Sequence, residues 1–110
     1  MSEVFDLNNL LAKRDQGGRS YLEFLRVPAM SAGIYILPAG GTDLQRPHEQ
    51  DEIYYVVAGA AKLRLGSSEK KVAKGDVIFV EANLEHRFFD IEPELILLVV
   101  FAPAEESAYT

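Results

Sequence analysis

HEQDEIYYVVAG, residues His48 to Gly59, is the stretch whose reading decides the fold. Side chains of an extended chain alternate between two faces, so His48, Gln50, Glu52 and Tyr54 fall on one side. His48 and Glu52 then point into a common cavity, provided no bulge resets the alternation. The run Ile53 to Val57 is apolar on both faces, which requires burial on one side and cover on the other.

Outward from this stretch the chain repeats the same texture. YLEFLRV (21–27), SAGIYIL (31–37), EIYYVVA (52–58), AKLRLG (61–66), KKVA (70–73), DVIFV (76–80), HRFFD (86–90) and ELILLVVFA (94–102) are short β-like segments separated by Gly, Pro and charged turns. No helical stretch lies between them to make a parallel crossover. They predict an all-β fold, a small antiparallel β-barrel or double-sheet jelly roll. PAGG at 38–41, GSSEKK at 66–71 and KGD at 74–76 supply the reversals, and Gly59 and Gly75 serve as turn glycines rather than phosphate binders.

Before the first strand, DLNNLLAKR (6–14) predicts one short helix capped by Asp6, with Leu7, Leu10 and Leu11 on one face and DQGG (15–18) as its stop. The expected organisation is an N-terminal helix and lead-in over 1–20, a single barrel domain over 21–103, and a polar tail over 104–110. Leu95 to Phe101 is again apolar on both faces. Its outer side needs a second sheet or a second subunit, and a homodimer is the expectation.

Composition removes several functions. The 110 residues contain no Cys, so disulfides, thiolate metal ligands and cysteine nucleophiles are absent. Eleven Lys and Arg against seventeen Asp and Glu give a net charge of -6, which argues against a nucleic-acid partner. The first residues lack a secretory pattern, and the apolar run Leu95–Ala102 is too short to span a bilayer. A cytoplasmic protein without a membrane partner is expected. No phosphate loop, dinucleotide fingerprint or nucleophile elbow is present.

The chemistry gathers around the two histidines, His48 and His86. A strand from the other half of a barrel brings His86 against His48 and Glu52. Two imidazoles and a carboxylate suit Fe(II), Mn(II), Zn(II), Ni(II) or Co(II), one per chain, without choosing among them. A histidine bonded within a core is the ordinary alternative for either ring taken alone. Tyr35, Gln50 and Phe88 are candidate pocket-lining or substrate-binding residues, though tyrosines and phenylalanines more often simply fill a core. Gln50 is also a reserve metal ligand, and Glu49, Asp51 and Glu85 read as a solvated rim.

The spacing of glycines and ligands resembles the cupin superfamily. Its first motif, G-x5-H-x-H-x3,4-E-x6-G, meets GGTDLQRPHEQDEIYYVVAG, with Gly40, Arg46, His48, Glu52 and Gly59 on that spacing. Its second motif, G-x5-P-x-G-x2-H-x3-N, meets GDVIFVEANLEHRFFD, where Gly75 and His86 match and Glu81, Asn83 and Asp90 stand in place of Pro, Gly and Asn. The resemblance implies a metal held by His48, Glu52 and His86. Arg46 occupies the place of the first motif histidine, and a guanidinium has no lone pair to offer a metal. Arg46 instead suits an anionic substrate group, a structural pairing with Glu52, or a surface position.

Similar proteins include dioxygenases, isomerases, decarboxylases and lyases, so the resemblance implies a scaffold before a reaction. The reading it supports is a metal-dependent enzyme, a dioxygenase or an isomerase or lyase, acting on a small organic acid or another oxygen-rich metabolite. Tyr54 is the candidate proton-transfer residue. The alternatives are a non-catalytic small-molecule binding or sensor module, and a structural dimerisation module with an incidental cavity.

Overall fold

The computed structural model describes residues 2–17, 21–43 and 47–104, the side chains of 14–17 excepted. Helix α1 (Leu7–Gly17) is followed by β1 (Tyr21–Val27), β2 (Met30–Pro38), β3 (Asp51–Leu65), β4 (Ser68–Ala73), β5 (Val77–Val80) and β6 (His86–Ala102). Asp6 caps the helix as its sequence predicts, accepting the Asn8 N–H at 3.1 Å. The helix runs to Gly17, past the expected end at Arg14. Among the described residues no helix is long and apolar enough to cross a membrane.

The eight predicted β segments condense to six strands. EIYYVVA and AKLRLG are one strand, β3, and HRFFD and ELILLVVFA are one strand, β6. These two pair antiparallel along their whole length, from Asp51↔Ala102 to Leu65↔His86, with register shifts between Val56 and Lys62. Extra residues at those shifts interrupt the ladder locally and bend the ribbon, and pairing resumes on either side, which is why a bend looks like a turn in sequence.

The bend sorts the strands into two layers. The first half of β3 lies between β5 and the second half of β6, which continues through β2 to β1. The second half of β3 pairs with β4 on one side and the first half of β6 on the other. The strand path β1-β2-β6-β3-β4, with β5 joined to β3, does not close into a hydrogen-bonded barrel, so the fold is the double-sheet form of the predicted jelly roll. Tyr35, Leu37, Tyr54, Val56, Leu95, Leu97, Val99 and Phe101 face Ala61, Leu63, Val72, Phe88 and Ile91 across the interior.

Gly59 stands at the bend with φ +87, and a Cβ there would lie 2.0 Å from the Glu94 carbonyl oxygen. Only glycine lets β6 approach this closely. The KGD reversal has Gly75 at φ +95, with Asp76 Oδ2 accepting the Ala73 N–H at 2.8 Å.

Outer-face cover is divided. Leu10 on α1 packs with Ile34 and Ile36 of β2, joined by Phe5, Leu11, Phe24, Ile96 and Leu98. The chain's own N-terminal helix therefore covers part of the face for which a second subunit was expected. The cover stops short of β3 and β5, where Ile53, Tyr55, Val77 and Phe79 are between 41% and 67% exposed.

Candidate metal centre

Bending the β3–β6 ribbon brings its two ends together. Glu52, near the start of β3, and His86, the first residue of β6, meet across the interior with Glu52 Oε1 3.1 Å from His86 Nε2. His48 precedes β3, yet its alternation with Glu52 holds, and its Nε2 lies 3.6 Å from the same oxygen. All three side chains are buried, and one donor atom from each lies within 4.8 Å of the others. The sequence placed these three in one cavity, and the structure brings them together.

Local contacts aim the ligands. His86 Nδ1 lies 2.8 Å from the Leu84 carbonyl oxygen, to which it donates its proton, so Nε2 carries the lone pair in the neutral ring. The His48 ring packs edge-on against Phe101 with centroids 4.9 Å apart, and its carbonyl accepts the Asn83 N–H. Asp51 Oδ1 accepts the Ala82 N–H at 2.9 Å. The 81–84 turn that leads into His86 is thereby stitched to the segment carrying His48. Asn83 adopts φ +65 where the family pattern has glycine, a conformation asparagine tolerates better than most residues. Asp51, expected on a solvated rim, is exposed but structural.

A divalent ion fits this donor set. Two ligand atoms each at roughly 2.1 Å from one ion, at tetrahedral or octahedral angles, stand roughly 3.0–3.5 Å apart. The 3.1 Å separation falls inside that range and the 3.6 Å one just above it, and with all three donors within 4.8 Å of one another small side-chain shifts close the set around an ion. His86 Nε2 is buried without an aligned hydrogen bond, although the Glu52 oxygen is within ion-pair range. Neutral, it would set a lone pair against a carboxylate. A cation between them, proton or metal, removes that repulsion.

The titration of His86 follows from the same contacts. Burial pulls its pKa down, but the Glu52 contact, the Leu84 carbonyl and the charges of Glu52 and Asp43 outweigh it and leave the pKa above 6.5. In the metal-free protein this stabilisation is fully present below the unfolded pKa and lost as pH rises through the folded one. A metal must displace the same proton. Apparent Zn(II) affinity is therefore expected to fall about tenfold over the pH unit below 6.5 and to level off above the folded pKa, as measured by competition with a chelator. An affinity flat across that window would remove His86 from the ligand set.

The other predicted site residues have distinct placements. Tyr54 is fully buried, its ring centroid 6.1 Å from His86 and 5.0 Å from Phe88. Phe88 is a buried wall residue on the His86 side of β6. Tyr35 donates its hydroxyl to Asp43 Oδ1 at 2.8 Å, and burial, then Asp43, raise its pKa far above the ordinary phenol value, so it stays protonated. Gln50 is half-buried between His48 and Glu52 in sequence. Arg46 lies outside the described residues. Sequence reasoning passed over Asp43 and Phe101: a lone Asp in a loop reads as a turn residue, and a Phe in a greasy strand as core.

Two facing antiparallel sheets with a buried His-Glu-His cluster where their ends meet define a small jelly-roll protein with a candidate metal centre. The chain belongs to the cupin family, whose model, described as "Cupin domain", matches residues 33–102. The Streptomyces coelicolor protein SCO3923 is 46% identical over 103 residues, covering 94% of this chain and 98% of its own. The crystal structure of TT1209 from Thermus thermophilus superposes with a TM-score of 0.78 at 28% identity, covering 94% of this chain and 99% of that one. An RmlC-like cupin from Shewanella frigidimarina shares the fold with a TM-score of 0.70 at 21% identity, covering 76% of this chain and 75% of that one.

Proposed function

We propose that this cupin is a metal-dependent enzyme acting on a small organic acid or another oxygen-rich metabolite, with His48, Glu52 and His86 as the ligands of one divalent transition ion. The observation that carries the reading is the buried His86 Nε2, its tautomer set by Leu84, 3.1 Å from the Glu52 oxygen without an aligned hydrogen bond. A divalent ion held there supplies Lewis-acid polarisation of a substrate oxygen or, if redox-active, dioxygen chemistry. Three protein ligands leave positions for substrate and solvent.

The chain's own residues supply the remainder. Phe101, edge-on against the His48 ring, and Phe88, edge-on against Tyr54, are buried and exclude water from this part of the interior, which strengthens every charge interaction inside. Tyr54, beside His86, is the proposed proton-transfer residue. Tyr35 and Gln50 are proposed to line the substrate position, and Arg46 to clamp an anionic group. The test is anaerobic reconstitution with Fe(II), Mn(II), Zn(II), Ni(II) or Co(II) in turn, followed by NMR of a panel of small carboxylic acids with and without dioxygen. Metal-dependent product formation supports the enzyme. Binding of an acid with no metal requirement and no product supports the sensor alternative.

The uncovered strip on β3 and β5 favours a second, compatible proposal, a homodimer. Phe79↔Ile53↔Val100 and Val77↔Tyr55↔Leu98 run across three paired strands as two apolar rows without a charge. In a chain of net charge -6, a copy seated on this strip keeps the like charges at the periphery. The wild-type protein is expected to elute as a dimer in light-scattering chromatography and the Phe79→Glu protein as a monomer that still binds metal. A monomeric wild type at micromolar concentration would remove the proposal.

A further inference from the structure

Asp43 is a carboxylate only 1% exposed to solvent, on a loop, five residues before His48 and outside every strand. Its two oxygens are divided between two walls of the interior. Oδ1 accepts the Tyr35 hydroxyl of β2 at 2.8 Å, and Oδ2 accepts the Phe88 N–H of β6 at 3.0 Å. Phe88 lies two residues beyond His86, and both point inward. Asp43 thus joins the segment that delivers one imidazole to the strand that delivers the other.

We propose that Asp43 is a positioning residue of the metal centre, fixing the separation of His48 and His86 and placing a second buried negative charge behind the ligands. The inference rests on the metal reading above. His48 needs such a device because it precedes β3 and has no ladder to hold it. Its carbonyl is held by the Asn83 N–H, and Asp43, five residues earlier, is held by Tyr35 and Phe88. Two neutral imidazoles and Glu52 bring one negative charge to a divalent ion, and Asp43 supplies the balance from outside the ligand set. Held by both oxygens in the interior, that charge stays fixed where its field acts on a metal cation.

The residue type is demanding. A carboxylate accepts from both donors, whereas an asparagine can keep the Phe88 N–H on its Oδ1 only by turning its NH2 to the Tyr35 hydroxyl oxygen, which reverses that bond, leaves the Tyr35 proton to find another acceptor and removes the charge. Tyr35→Phe removes one of the two attachments and keeps the charge. The two variants therefore separate position from charge.

The experiment titrates Co(II) into wild-type, Asp43→Asn and Tyr35→Phe protein, reading affinity by chelator competition and coordination by the visible absorption spectrum. Thermal melting and Phe88 amide exchange are followed on the metal-free forms. Asp43→Asn is expected to weaken Co(II) on the order of 10- to 100-fold and to alter the absorption bands, the range seen for residues that orient metal ligands. Tyr35→Phe is expected to alter the bands with a smaller loss of affinity, and it carries the test if Asp43→Asn fails to fold. Wild-type affinity and spectrum in whichever of these variants fold would overturn the role of Asp43 alone. A wild-type protein that binds no Co(II) would overturn the metal reading, and this inference with it.

Discussion

His86→Ala protein is expected to bind Co(II) on the order of 100-fold or more weakly than the wild type, with His48→Ala close behind, because each substitution removes one of three buried candidate donors. The loss at His86 is the sharper test, since the 2.8 Å contact between Nδ1 and the Leu84 carbonyl oxygen aims its Nε2 at Glu52. Removing the ring leaves Glu52 and His48 with a separation of 3.6 Å and, among the described residues, no other His or carboxylate grouped with them. Two ligands in a buried site cannot offset the dehydration of a divalent ion as three can. Elemental analysis of protein purified without added metal, beside chelator competition, gives the answer. Equal metal in wild type and both variants would place the ion elsewhere and end the proposal for this site.

Gly59→Ala is expected to cost about 3 kcal/mol or more of unfolding free energy in urea, from a left-handed backbone angle added to a steric clash. The new methyl would lie 2.0 Å from the Glu94 oxygen, 2.8 Å from its carbonyl carbon and 3.1 Å from Leu95 Cα, all backbone atoms of the partner strand. None can swing aside as a side chain would. Gly75→Ala separates the two contributions, because Gly75 has φ +95 but nothing within 4 Å of where its methyl would stand. It is expected to lose only about 1–2 kcal/mol. Equal losses at the two positions would mean that β6 gives way at the bend. The Gly59 variant is also expected to lose metal affinity, since that bend lets the ribbon carrying Glu52 and His86 close on itself.

Much of the site was legible because strand alternation is a local rule. The two-residue period placed His48, Glu52 and Tyr54 on one face and His86 with Phe88 on another, and each of these side chains is buried. Asp6 as a helix cap and Gly75 as a turn glycine follow equally from local chemistry, whereas Gly59, read as a turn glycine, stands inside β3 at its bend. The joining of segments 52–58 and 61–66 into β3, and of 86–90 and 94–102 into β6, was not legible. A bulge and a turn use the same small and polar residues, and only the partner strand decides whether pairing continues through them.

The order of glycines, imidazoles and carboxylate, with alternating strands and no cysteine, determined by itself the family, the all-β jelly-roll class and the three candidate ligands, because these depend on residue type and near neighbours. The tertiary structure decided what depends on distant segments meeting. It set the 3.1 Å contact of Glu52 with His86 and the covering of Ile34 and Ile36 by α1, and it left Phe79 and its neighbours bare. It also buried Asp43 between β2 and β6, a position no local pattern could announce, since the two donors that fix it come from residues 8 and 45 positions away along the chain.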